Sequence, residues 1–389
     1  MSLRPIARSP DLQRLRDEGY NVRIHGGHLL VRDVPYVTAA REVKLGILVA
    51  RLDLDNDKAA VPQTHVAMWV GEHPCHSDGR KIITFENGSP PQDLGDGLRV
   101  DFTFSAKAPY RDYHHKMTTY IGRITGEAQV LEPGASAQTF PVYLDEEPDA
   151  VFKYIDTASS RAELGALNQK LVGLKIGIVG VGGTGAYVLD LVAKTQVKEI
   201  HLFDGDRFSQ HNAFRAPGST SPEQLEAKPK KVDHWAMVYG TMRNGVIPHD
   251  LYVDAEHAEL LSDLDFVFLC IDGNDGKRSL VEAIEKLGIS FIDTGLGVVR
   301  ADEGLSGLVR VSASTRDTRE QARQHISFAA GDAKDEYSTN IQVAELNALN
   351  AAMAVLRWKK MVGFYRDASR DYYAGYSIAA NEIVNEDAA

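Results

Sequence analysis

The segment Gly180-Val181-Gly182-Gly183-Thr184-Gly185 is the stretch of the chain whose residue types most directly suggest chemistry. A short β-rich run, 175–179, precedes it and a helical pattern, 186–194, follows. Glycines in such a turn let the backbone reverse tightly, approach a phosphate or ribose closely and pack the helix on the sheet. The helix start that follows offers free N–H groups and the positive end of its dipole. A second strand, 199–203, ends at Asp204, 19 residues after Gly185, where a carboxylate can accept bonds from ribose hydroxyls. Gly180, Gly182 and Gly185 also satisfy Gly-x-Gly-x-x-Gly, so a dinucleotide dehydrogenase, another nucleotide enzyme and a tight turn without a ligand all stay open.

Further charged and polar residues follow in order. Asp204-Gly-Asp206 leads to Asn212 and Arg215, then to Lys228-Pro-Lys230-Lys231-Val232. The apolar run 266–271 closes on Asp272, at the carboxyl end of a predicted parallel strand, where open α/β sheets bind ligands. The lysine run also reads as a solvated helix start.

These residues need a scaffold. After residue 150 strands alternate with helices, and the strands are unbroken apolar runs, which predicts an α/β fold with a mostly parallel sheet covered on both faces. The segment 341–358 is apolar almost all round and predicts a buried helix. The seam is the acidic, proline-bearing stretch 143–149. Before it lie short strands and turns. The runs 22–24 and 28–31 flank a His-Gly-Gly turn, and 47–52, 64–70 and 116–124 are further strand-like runs. The division expected is an N-terminal α+β domain over 1–150 and a Rossmann-like, doubly wound domain over 151–389.

Composition narrows the classes. The 389 residues are 43% hydrophobic and 25% charged, as in globular chains. Forty-three basic against 54 acidic residues give a net charge of −11, which argues against a protein that coats nucleic acid or an anionic membrane. No apolar run approaches a membrane span, and residues 1–16 lack the apolar core of a signal peptide. Two cysteines, Cys75 and Cys270, exclude a disulfide scaffold and a four-thiolate zinc site and fit a reducing cytoplasm.

Taken together, Gly180-x-Gly-Gly-x-Gly185, Asp204-x-Asp206, Asn212-x-x-Arg215, Lys231-Val232 and Cys270-Ile-Asp272 resemble the ThiF/MoeB/HesA group of the ubiquitin-activating (E1-like) enzyme superfamily, as found in bacterial operons for ubiquitin-like modification. The resemblance implies an adenylyltransferase that uses ATP and magnesium to activate the C-terminal carboxylate of a ubiquitin-like protein ending in glycine. It implies that Gly180, Gly182, Gly183, Thr184 and Gly185 form the ATP turn, that Asp204 holds the ribose, and that Asp206 belongs to the ATP site. Asn212, Arg215 and Lys231 would contact the triphosphate, with Lys230 a rival to Lys231, and Asp272 would ligate magnesium. It further implies a homodimer in which one subunit lends an arginine to the other. Arg161, the sole arginine between residues 125 and 206, is the candidate, against the alternative of an ordinary surface arginine.

The chain departs from that group in lacking paired Cys-x-x-Cys motifs, so no structural zinc is expected, and in having no cysteine after Cys270. Cys270, in an apolar strand, reads as an inert thiol. Cys75, in Gly71-Glu-His73-Pro-Cys75-His76, reads either as an acceptor for the activated carboxylate or as a packed loop thiol. A metal site from His73, Cys75, His76 and His114 or His115 lacks a recognised spacing. The N-terminal domain would recruit the modifier, a conjugating enzyme or a target. Adenylation of a small molecule or tRNA base, and a nucleotide-dependent scaffold without catalysis, are the competing readings.

Overall fold

The structure is a computed structural model. It describes residues 6, 8–56, 58–88, 90–95, 97–144, 150–156, 158–159, 162, 164–273, 275–328 and 341–387. Two compact units emerge, Met1–Pro148 with Ile155–Ala162, and Asp149–Tyr154 with Glu163–Ala389.

In the first unit, strands β1 (Asn21–His25), β2 (His28–Val37), β3 (Val43–Arg51), β6 (Val66–Val70) and β9 (Phe102–Ser105) form one antiparallel sheet in that order. The pairs β4 (Leu54–Asp55) with β5 (Lys58–Ala59), and β7 (Gln92–Asp93) with β8 (Arg99–Val100), are small satellites. The predicted hairpin closes at His25 and His28. The run 116–124 is not a strand. It lies within a helix, Tyr113–Leu131. Thr118, Thr119, Tyr120 and Ile121 favour strands locally. The wider spacing decides otherwise. Met117, Tyr120, Ile121, Ile124 and Ala128 recur at helical intervals and are all buried, and the Asp112 side chain accepts from the His115 N–H as an N-cap. That face packs with Leu29, Val31, Leu48 and Trp69 of the sheet in one core.

The second unit is built on an eight-stranded sheet. Its strands are β10 (Lys175–Val179), β11 (Glu199–Phe203), β12 (Val246–His249), β13 (Phe266–Leu269), β14 (Ser290–Ala301), β15 (Gly304–Ser314), β16 (Asp371–Ser377) and β17 (Glu382–Asp387). They run in the order β12-β11-β10-β13-β14-β15-β16-β17. The first five are parallel and the last three join antiparallel. From β10 the chain moves outward to β11 and β12, then returns to the other side of β10 as β13. Strand order therefore reverses between β10 and β13, the position at which open α/β sheets form their ligand crevice. β10 and β13 are buried along almost their whole length, as strands covered on both faces must be. The Thr184–Ala193 helix and the Ala344–Met361 helix share one core on this sheet. The latter buries one face, Asn347, Asn350, Ala351, Ala354, Val355 and Trp358, rather than its whole circumference.

Among the described residues, no helix is long and apolar enough to cross a membrane.

Candidate active site

The glycine turn sits at the carboxyl ends of β10 and β13, and its glycines answer to close contacts. Gly180 has φ of +85°, and a Cβ there would lie 2.6 Å from the Cys270 carbonyl oxygen. A Cβ on Gly185 would lie 1.8 Å from the Gly180 oxygen. Neither position admits a side chain. Gly182 differs, because its missing Cβ faces open space whose nearest atoms are Arg215 Nη2 at 3.9 Å and Lys231 Nζ at 4.0 Å. A ligand can thus reach the Gly182 backbone and meet two cations there.

The turn is pinned from several directions. Gly180 N–H donates to the Phe203 carbonyl (2.8 Å) and Cys270 N–H to that of Val179 (2.8 Å). Val181 N–H donates to Asp204 Oδ2 (3.0 Å), and the Val181 carbonyl accepts from the Trp235 indole (3.1 Å). Thr184 Oγ1 donates to Asn347 Oδ1 (2.8 Å), and Asn347 Nδ2 donates to the Arg215 carbonyl (3.3 Å). At the far end of the same helix, the buried Arg243 guanidinium donates to the carbonyls of Ala193 and Thr195 (3.2 Å each), where cations suit a helix C-terminus. A fixed turn matters because catalytic hydrogen-bond donors gain most when they need not reorganise.

Asp204, 7% exposed, also accepts the Asp206 N–H (2.9 Å). Lys231 Nζ lies 3.3 Å from Asp204 Oδ2 and 2.7 Å from Asp206 Oδ2. Burial opposes ionisation of Asp206, but hydrogen bonds from Lys231 and Tyr252 and the charge of Lys231 outweigh it, so its carboxyl lies below the ordinary range. Lys230 turns elsewhere, to the Gly205 carbonyl (2.9 Å) and Asp250 Oδ1 (2.8 Å). Burial depresses Arg215, and the charges of Asp272 and Asp206 act against that shift. Asn212 is 1% exposed, and its Oδ1 accepts from the Ser209 N–H (3.0 Å), closing a capping box.

These groups border one cavity of about 680 Å³, lined by Gly180, Gly182, Gly183, Thr184, Asp204, Asp206, Arg215, Lys231 and Asp272 among others. Lys230, Asn212 and Gly185 are not among its lining residues. Asp272 is exposed, three residues beyond the end of β13 at Leu269. No group of three or more histidine, cysteine or carboxylate side chains gathers as a metal site among the described residues. The His73, Cys75, His76 and His114 or His115 set accordingly does not assemble. A magnesium ion bound with a triphosphate needs only one or two protein carboxylates, the rest being phosphate and water. Asp272 fits that demand. Arg161 lies outside the described residues.

Cys75 is 1% exposed, its thiol donates to the His73 carbonyl (3.3 Å), and burial pushes its pKa up. Those are the properties of a packed thiol, since a nucleophile needs access and a depressed pKa. Burial likewise pushes the Cys270 thiol up to about 12.

Sequence reading missed several residues in or beside the cavity. Tyr252 donates its phenol to Asp206 and lies over Gly205. Asn347 and Asn350 are polar positions three apart in an apolar helix, a pattern that marks an inward-facing polar pair. Lys277 and Arg310 line the cavity and pair with the buried Asp293 behind them, and only Asp293, a charge within a strand run, carried a local signal.

A model of the ThiF family matches residues 146–385, and one described as a domain of unknown function (DUF6791) matches residues 10–157. No curated protein matches the sequence. Solved structures similar to this chain include E. coli MccB, at 15% identity and a TM-score of 0.44 over 57% of this chain. The match spans 64% of the MccB chain, somewhat less than two thirds of its length. E. coli MccB with ATP aligns at 17% identity and TM-score 0.43, over 57% of this chain and 66% of that one. PaaA aligns at 17% identity and TM-score 0.43, over 58% of this chain and 76% of that one. With well over half of its length matched by the family model, and with the glycine turn, Arg215, Lys231 and Asp272 around one cavity, the chain belongs to the ThiF family.

Proposed function

We propose that the protein adenylates the C-terminal carboxylate of a ubiquitin-like protein with ATP, in the cytoplasm, and hands the activated tail to a conjugating enzyme or another acceptor. One observation carries this reading: Arg215 and Lys231 converge about 4 Å from the vacant Cβ position of Gly182, in a cavity that also holds Asp272. A pyrophosphate bridge of a dinucleotide is served by a glycine turn and helix start alone. Two added cations and an exposed carboxylate suit a triphosphate and its metal.

In this reading a carboxylate oxygen of the tail attacks the α-phosphorus. The new oxygen–phosphorus bond forms as the bond to pyrophosphate breaks, and pyrophosphate leaves with the electron pair. The nucleophile is already ionised, so no strong base is required. Rate comes from positioning and from cations around the phosphates. Asp204 and Asp206 present oxygens toward the ribose. Arg215, Lys231 and the N–H groups of the turn hold the phosphates and meet the charge that builds on the leaving group. We assign the phosphate contact to Lys231 rather than Lys230, which is committed to Asp250. Asp272 would hold magnesium, which supplies further neutralisation of phosphate charge. Arg161 from the second subunit of a homodimer completes the set.

The buried Cys75 favours direct transfer. A thiol or amine of a second protein attacks the acyl carbon, loses its proton and releases AMP, with no thioester on this chain. The nucleotide assignment is tested by thermal unfolding. ATP with magnesium raises the melting temperature by mass action and NAD does not. Stabilisation by NAD with none by ATP would overturn it.

A further inference from the structure

The same cavity is also bordered by Thr294, Gly295, Leu296, Gly297, Arg310 and Asn350. Gly295 and Arg310 face each other across the β14–β15 ladder. A Cβ on Gly295 would lie 2.2 Å from Arg310 Nε and 2.5 Å from Nη2, so the guanidinium lies flat across the glycine because that residue has no side chain. Its Nη1 donates to the His325 carbonyl and stands 3.7 Å from Asp293 Oδ2. Asp293 has a closer cation in Lys277, at 2.5 Å. Among the described residues, Arg310 Nε and Nη2 have no hydrogen-bond partner, and the side chain is 17% exposed.

Asn350 approaches the same glycine from the Ala344–Met361 helix. Its Nδ2 donates to the Gly295 carbonyl (3.1 Å) and it is 1% exposed. Its Oδ1 is buried without a partner although the residue lines the cavity. A buried acceptor left unpaired is costly, and such an atom facing a cavity calls for a donor from outside. Gly295 therefore gathers two unused functions, a two-pronged cationic donor and a neutral acceptor, both fixed in place.

The last residue of a peptide chain carries the complementary pair, a carboxylate and an N–H joined through one Cα. We propose that Arg310 and Asn350 select and position that residue in the substrate. Arg310 pairs with one carboxylate oxygen while the other approaches the α-phosphate, and Asn350 Oδ1 accepts the N–H of the terminal peptide unit. The inference rests on the adenylation reading and adds to it a demand for a peptide N–H beside the reacting carboxylate, which a simple acid or a tRNA base does not meet.

The test is ATP–pyrophosphate exchange driven by three synthetic peptides: one ending in Gly-Gly carboxylate, one with the final glycine replaced by glycolate so that an ester oxygen stands for the N–H, and one ending in the amide. The wild-type protein shows a KM for the glycolate peptide higher by on the order of tenfold, with kcat little changed, and no exchange with the amide. Asn350→Leu equalises the two carboxylate peptides. Arg310→Gln raises KM for both alike, and Arg310→Lys restores part of the loss. Stabilisation by ATP, retained in each variant, shows that the phosphate turn is intact. Equal KM values for the Gly-Gly and glycolate peptides in wild type would overturn the proposal without any variant, as would an Asn350→Leu protein that still discriminates. Absence of exchange with every peptide would instead overturn the adenylation reading beneath it.

Discussion

Lys231 and Lys116 are both largely buried lysines on helices, one in each unit. Lys231 has the carboxylates of Asp204 and Asp206 within 3.4 Å and borders an open cavity. Lys116 is fully enclosed, donates to the Thr64 carbonyl (2.9 Å), and burial lowers its pKa to about 8 with only a distant pull from Asp53. The cysteines divide in a related way. Cys270 faces the cavity from the end of a sheet strand, whereas Cys75 packs with Val37 and Ala128. Charge at the glycine turn is thus compensated and reachable by a ligand, while polar groups of the N-terminal interior are turned into the core. The contrast places the adenylation chemistry in the second unit.

Asp272→Ala would sharpen this division most. Exchange should fall by at least 10²–10³-fold, the order seen when one group that stabilises transition-state charge is removed, with the melting temperature little changed. Mixed dimers of Asp272→Ala and Arg161→Ala chains should regain part of the activity, since one of the two sites then keeps both groups. Recovery of none, with subunit exchange demonstrated, would remove Arg161 from the site. Lys231→Met should lower exchange on the order of a hundredfold. Lys230→Met should cost under about tenfold, because that side chain answers to Asp250. Equal losses would blur the register assigned here.

Lys116 gives a pH signature confined to stability. Its folded pKa lies below the unfolded value, so between about 8 and the ordinary lysine range the unfolded chain binds more protons. Its unfavourable contribution is then fully present below pH 8 and is relieved as pH rises above it. The melting temperature of Lys116→Met relative to wild type should therefore be highest near pH 7 and decline toward pH 10, while exchange stays unchanged. A flat difference would mean that the buried lysine is better compensated than its single carbonyl partner suggests. The smallest effect belongs to Cys75→Ala, which should leave both exchange and transfer to an acceptor protein intact. A reductant-sensitive conjugate that disappears in this variant would move covalent chemistry into the N-terminal unit.

The glycine turn, Asp204, Arg215, Lys231 and Asp272 were legible in sequence because each stands at a strand or helix end, where spacing places it near the switch point. Arg310 and Asn350 were not. They lie more than a hundred residues beyond the turn, and sheet order alone brings β15 and the Ala344–Met361 helix to the same cavity. The helix Tyr113–Leu131 was misread because strand-forming residues cluster in its middle, and tertiary burial of its helical face prevailed over local preference. Lys230 and Lys231 could be told apart only once Asp250 and Asp206 had taken their positions.

The central claim is that this cavity turns ATP and a protein carboxylate into an adenylate and pyrophosphate. Exchange of labelled pyrophosphate into ATP measures that step alone, without an acceptor. With a ubiquitin-fold protein ending in Gly-Gly, the account predicts exchange that requires magnesium, depends on the free C-terminal carboxylate and vanishes in Asp272→Ala. Exchange that proceeds equally without any carboxylate partner, or that persists in a folded Asp272→Ala protein, would contradict it.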